Sequence, residues 1–230
     1  MAATGPNLIE VGIYTVGEAA FLVGVSERRV RGWLAGYKDR STGPIIHNEL
    51  GWMDERLALS FRNLMEMRFI AYFEQAGVKY HRIRKIMDEV RQVTTHPHPF
   101  STNIVFRTDG VRIVGEIINR LSGVTIYDLA SKNFEIVPLL YKELKDNVKY
   151  DFNGDAVYWI PRPDTAPNVI VHPKFAFGKP IIRASGIPTR ALADAVESEG
   201  SAATVADMFE RPLGEVREAV RFEAELRKAA

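Results

Sequence analysis

The stretch YTVGEAAFLVGVSERRVRGW, Tyr14 to Trp33, decides the reading of this chain. Thr15, followed three positions later by Glu18, makes a capping box for a first helix with Val16, Ala19, Ala20 and Val23 on its inward face. Gly24 ends that helix and Ser26 caps a second, in which Val30, Trp33 and Leu34 face inward while Arg28, Arg29 and Arg31 face outward. Two short helices on a tight turn, the second with a basic outer face, suit a helix-turn-helix whose second helix enters a DNA major groove. The same periodicity suits an αα-hairpin with a solvated basic face, and periodicity alone leaves both open.

Outward from this stretch, 230 residues at 46% hydrophobic and 26% charged give enough chain for a real core and two or three small domains. The N-terminus MAATGPNLIE has neither the basic start nor the apolar core of a secretory signal. No run approaches the ~18 apolar residues of a membrane span, so the expectation is a cytoplasmic protein without a membrane partner. The absence of cysteine excludes disulfides, thiolate metal sites and a thiol nucleophile. Formal net charge is only +1, with thirteen Lys and Arg against eleven Asp and Glu in residues 1–100. Useful DNA affinity therefore calls for a homodimer that sets two reading helices on adjacent half-sites.

After the loop from Lys38 to Leu50, the segment from Asp54 to about Phe73 reads as one long helix, and Lys79 to Val93 as another. On the second, Arg82, Arg84 and Lys85 read as a solvated outer face. His96-Pro97-His98-Pro99 reads as a stiff linker rather than a metal site, because no spacing ties the other histidines to these two. Residues 103–118 carry a hairpin signal around Asp109-Gly110, and with Phe134–Val137 and Ala156–Ile160 they imply a small central sheet. The prolines of PRPDTAP, 161–167, mark a boundary, and helices follow at about 189–199, 202–210 and 212–226. The domains expected are 12–95, 100–165 and 168–227.

The order Thr15, Glu18, Ala19, Ala20, Gly24-Val25-Ser26, Val30, Arg31, Trp33 resembles the N-terminal helix-turn-helix of MerR-type regulators. The resemblance implies that the Ser26-led helix reads the groove and that a wing in the 38–50 loop touches the backbone, though Pro44, Ile45 and Ile46 stand where that family commonly has a tyrosine and an arginine. His172-Pro173, Gly178-Lys179-Pro180, Ile182-Arg183 and Ile187-Pro188 before a helical bundle are similar to the DUF433 family, with Ala184, Ser185 and Gly186 shifting its usual glycine. Read from the residues alone, Gly178, Pro180 and Arg183 suit architecture. The fold class expected is thus mainly α with a small central β-sheet: a MerR-like winged helix-turn-helix plus a DUF433-type three-helix domain. The joint arrangement resembles mycobacterial VapB45-type antitoxins, and that resemblance implies a PIN-type ribonuclease toxin as protein partner.

The candidate DNA contacts are Ser26, Arg28, Arg29, Arg31, Lys38 and Arg40, to double-stranded operator DNA; the candidate partner contacts are Lys179 and Arg183. The terminal bundle also suits a second helix-turn-helix, but Asp207, Glu210, Glu215 and Glu218 are expected on its outer surface, where they would repel phosphate. It is therefore assigned to protein contact or dimerisation. No Ser, His and acid arrangement, phosphate loop or metal motif is present, so neither a catalytic role nor a cofactor is expected. The leading expectation is an antitoxin that represses its own operon. The alternative is a ligand-responsive regulator with Phe100, Phe106, Phe134, Tyr141, Tyr150, Phe152, Tyr158 and Trp159 lining a sensor cavity.

Overall fold

A computed structural model describes residues 11–36, 43–53, 55–75, 77–106 and 145–229. Among these the chain is mainly helical. The helices are α1 (Val16–Val23), α2 (Glu27–Ala35), α3 (Phe61–Gln75), α4 (Tyr80–Thr94), α5 (Thr189–Glu199), α6 (Ala202–Met208) and α7 (Leu213–Ala229). Among the described residues six short strands form three two-stranded pairs. They are β1 (Trp52–Met53) with β2 (Arg56–Leu57), β3 (Val148–Tyr150) with β4 (Ala156–Trp159), and β5 (Val169–Ile170) with β6 (Ile181–Ile182). The expected hairpin over 103–118 and strand at 134–137 lie outside the described residues, except that 103–106 form a 3-10 turn.

Packing divides the described residues into two compact units that interleave in sequence: those within 1–27, 49–61 and 158–230, and those within 28–48 and 62–157. In the first unit α5, α6 and α7 pack on one another and α1 packs on α7. Phe21 of α1 meets Phe222 of α7 edge to face at 5.4 Å between ring centroids. Phe21 and Leu22, which the helical pattern left off the inward face, are both buried with Val16, Ala19 and Ala20. Arg162 donates to the Phe21 carbonyl at 2.5 Å and lies 4.9 Å from that ring's centroid.

The N-terminal segment is fastened at its backbone. Tyr14 and Leu59 exchange both N–H···O bonds at 3.0 Å, and Ile13 donates to the Phe177 carbonyl at 2.9 Å. Residues 171–180 are the loop joining β5 to β6, antiparallel with Val169 opposite Ile182. In that loop Ala176, Phe177 and Gly178 have φ of 47°, 55° and 87°, a left-handed run that only glycine adopts without steric cost. At Gly178 there is no room for a side chain either: a Cβ would lie 2.5 Å from the Tyr14 hydroxyl and 2.8 Å from the Gly12 Cα. The GKP signature is architectural at its glycine for this reason.

The third strand pair and the bundle are joined by buried polar groups. Glu218 of α7 accepts from the backbone N–H of Asn168 at 2.7 Å and from its side-chain amide at 2.9 Å. The Thr189 hydroxyl lies 3.1 Å from the Pro180 carbonyl and 2.5 Å from Glu223 Oε1. A hydroxyl has one proton, so when it serves the carbonyl, a protonated Glu223 supplies the second bond. Burial raises the Glu223 carboxyl above its ordinary range, against the opposing effect of Thr189, Arg227 and Arg190.

In the second unit α3 is buried almost all round from Asn63 to Ala71, so its polar side chains need internal partners. Asn63 donates to the His47 carbonyl at 2.8 Å. Glu66 takes Arg91 on one oxygen and the His98 ring on the other, each at 3.2 Å. Buried Arg68 is lowered to about 10 by desolvation, which the neighbouring Tyr150 partly opposes. Tyr150 is raised to about 12 by the same burial, with Arg68 pulling the other way. Two expectations are corrected here. The helix begins at Phe61, because residues 52–57 form the β1–β2 hairpin. And His98 is a core residue, 1% exposed, rather than part of a linker.

Two outcomes follow for stability. Gly178→Ala is expected to lower the unfolding free energy by about 1–3 kcal/mol or more, since strain and clash combine; an unchanged urea midpoint would contradict the close approach of Tyr14. Because the Glu223 pKa is raised on folding, its contribution is full below the unfolded glutamate value of about 4.3 and is lost as pH rises through the raised value. Glu223→Gln keeps a donor at every pH, so in urea unfolding it should remove the decline that sets in as pH rises above the unfolded glutamate value of about 4.3.

Candidate functional site

The site begins with the capped end of α1. Thr15 accepts from the Glu18 N–H at 3.2 Å, and the Glu18 carboxylate accepts the Thr15 N–H at 2.8 Å, a complete capping box. Gly24 closes the helix with φ 79°, its N–H reaching the carbonyls of Ala20 and Phe21, and Val25 N–H also bonds Ala20 at 2.9 Å. Three residues later α2 starts. Its nine residues bury Val30, Gly32, Trp33 and Leu34, leaving Ser26, Arg28, Arg29 and Arg31 exposed, as the spacing predicts.

The three arginines do not stand in the same environment. Arg29 Nε lies 3.5 Å from Glu74 Oε2, with 52% of the arginine side chain exposed against 16% of the glutamate's. An ion pair this open contributes little stability, but it holds one guanidinium against a carboxylate. Arg28 and Arg31 project from the same helix one turn apart. Lys38 and Arg40 lie outside the described residues.

Residues 43–46, in the loop where the wing is expected, are held by backbone and side-chain hydrogen bonds. The carbonyl of Trp33 accepts the N–H of Ile45 at 2.9 Å and of Ile46 at 3.1 Å, and both isoleucines are buried. From α4, Arg84 donates to the carbonyls of Gly43 and Pro44, the latter at 2.9 Å, and Arg91 donates to Ile45 at 3.0 Å. Arg84 is therefore no solvated outer residue; it holds this loop. The β-hairpin lies further along, at 52–57, with Trp52 70% exposed on it. The aromatics expected to line a sensor cavity differ in their surroundings. Phe100 packs on Phe69 at 4.2 Å, Trp159 is buried, Phe152 is 94% exposed, and Phe134 and Tyr141 fall outside the described residues.

Among the partner candidates, Lys179 donates to Glu18 Oε1 at 2.5 Å, so the carboxylate that caps α1 also receives the lysine of the GKP signature. Arg183 is exposed, and its N–H bonds the Asn168 carbonyl at 2.8 Å. Lys179 precedes β6 and Arg183 follows it, so the two flank the strand at opposite ends and do not form one cluster. Sequence reasoning missed the Lys179–Glu18 pair because 161 positions separate the partners. Nor are the acids of the terminal bundle all on its outer surface. Glu218 is buried on Asn168 and Glu215 is half-buried with Arg211 at 2.7 Å, while Asp207 and Glu210 are exposed. Among the described residues no group of three or more His, Asp or Glu is placed to hold a metal.

No protein-family model matches this chain, and no curated protein matches it. A crystal structure of Rv2018 from Mycobacterium tuberculosis is similar to it, with a TM-score of 0.68 and 20% identity over 90% of this chain and 96% of that one. At that identity the likeness is one of fold. Among the described residues no helix is long and apolar enough to cross a membrane.

Proposed function

We propose that this chain is a DNA-binding antitoxin that represses its own operon as a homodimer and masks a PIN-type ribonuclease toxin. The single observation that carries the DNA half is the exposure of Arg28, Arg29 and Arg31 on a nine-residue helix whose other face is anchored in the core through Val30, Trp33 and Leu34. With its side chains an α-helix is about 10–12 Å across, a fit to the ~12 Å width of a major groove. Arginine supplies either a bidentate contact to guanine or a charge-assisted bond to phosphate. The toxin half is supported by the residue patterns that resemble MerR-type and DUF433 proteins. Within it Arg183 is the exposed partner contact and Lys179 the one already engaged by Glu18.

Fluorescence anisotropy on the duplex upstream of the chain's own gene, beside a scrambled duplex, tests this reading. Arg28→Ala with Arg31→Ala is expected to abolish the preference for the native duplex, at roughly 1–3 kcal/mol for each base-edge interaction removed, with the thermal melt unchanged. Equal, weak binding of both duplexes by the unaltered chain would remove operator recognition from the proposal. Glu74→Gln releases Arg29 and is expected to tighten binding and steepen the salt dependence by about one phosphate contact.

A further inference from the structure

Burial of Glu218 and Glu223 removes two acids from the outer surface of α7 and leaves a different face to solvent. Its exposed positions include Gly214, Arg217, Arg221, Ala224, Glu225 and Lys228. At 100° per residue, Arg217, Arg221 and Lys228 fall within about 40° of one another around the helix, with Glu225 at the edge of that stripe. The stripe runs about 16 Å along the axis from Arg217 to Lys228. Its opposite side, Val216, Ala219, Phe222 and Leu226, is buried against the bundle, so the cations are carried on a fixed helix. The remaining basic residue of the helix, Arg227, is spent on Asp194 and Glu197, the latter at 3.2 Å. At Gly214 a side chain would meet nothing within 4 Å, leaving the start of the stripe open to close approach.

We infer that this face of α7 is a second nucleic-acid contact, in which Arg217 and Arg221, with Lys228 beyond them, lie along the phosphate backbone of duplex DNA. Charge complementarity carries the choice of occupant: three cations on one exposed face suit a polyanion, and no aromatic side chain lies among them to stack on unpaired bases. The contact rests on the DNA-binding reading above, but it is of another kind, positioning the protein without reading sequence.

The test is the salt dependence of binding to the native and scrambled duplexes, by anisotropy, for the full chain and for Arg217→Gln with Arg221→Gln. Removing two phosphate-binding cations should lower the slope of log K against log salt by roughly 2 and weaken both duplexes by the same factor, about tenfold or more near physiological salt. Arg217→Lys with Arg221→Lys keeps the charge and should keep the slope. Lys85→Gln with Lys149→Gln, equal in net charge change at exposed positions elsewhere, should keep it too. A slope unchanged in the glutamine variant overturns the α7 contact and leaves the α2 reader standing. A slope that falls equally in the Lys85 and Lys149 control also overturns it, because the effect is then net charge alone. Failure of the unaltered chain to prefer the native duplex, with the slope still falling only in the α7 variant, removes operator recognition and keeps this contact. Absence of binding to either duplex overturns both.

Discussion

The close approach of Gly178 to Tyr14 is the constraint on which the first unit depends. It brings two stretches more than 160 positions apart into backbone contact, through the Ile13 N–H on the Phe177 carbonyl, and leaves no volume for a side chain at the glycine. Burial of the Tyr14 ring is the favourable term, but its hydroxyl finds no hydrogen-bond partner among the described residues and its ionisation is pushed far up by desolvation. The left-handed turn over Ala176 and Phe177 adds strain. Such costs persist where surrounding contacts over-determine the geometry, and here those contacts are Lys179 on Glu18, Arg162 on Phe21 and Phe222 on Phe21.

Glu18 links this constraint to α1. One carboxylate closes the capping box and accepts the Lys179 ammonium, so the start of α1 and the β5–β6 loop are held by the same side chain. The second unit uses the same device inside a core. Glu66, fully buried on α3, is divided between Arg91 and His98, and Arg91 continues to the carbonyl of Ile45. A carboxylate in that position is tolerable only because both oxygens are engaged. Arg84 and Arg91 hold the carbonyls of residues 43–45, and Ile45 and Ile46 donate in turn to the Trp33 carbonyl near the end of the arginine helix.

Functionally, the exposed faces of α2 and α7 share one design. Each buries a stripe of apolar residues and turns cations outward, and in each an otherwise unhelpful acid is withdrawn or neutralised: Glu74 sits against Arg29, and Glu218 bonds Asn168. A chain of net charge +1 presents local positive surface by this sorting of charge rather than by composition. The fold shared with Rv2018 does not by itself carry a function, so the assignment stands on these faces.

The sequence by itself determined whatever depends on neighbours within about one helical turn. The capping box of Thr15 and Glu18, the stop at Gly24, the inward Val30 and Trp33 with outward Arg28, Arg29 and Arg31, and the bounds of α5 at 189–199 all follow from local rules that need no tertiary partner. Only the tertiary structure decided which charges are spent. Arg84 became a clamp, His98 a core group, Lys179 a partner of Glu18 and Glu218 a buried acceptor, because each met a group 25 or more positions away. It likewise turned residues 52–57 from the start of a helix into a hairpin, since Tyr14 and Leu59 pair their backbones just beyond it. Periodicity specifies which way a side chain points from its own element, and desolvation and long-range pairing specify what it meets there.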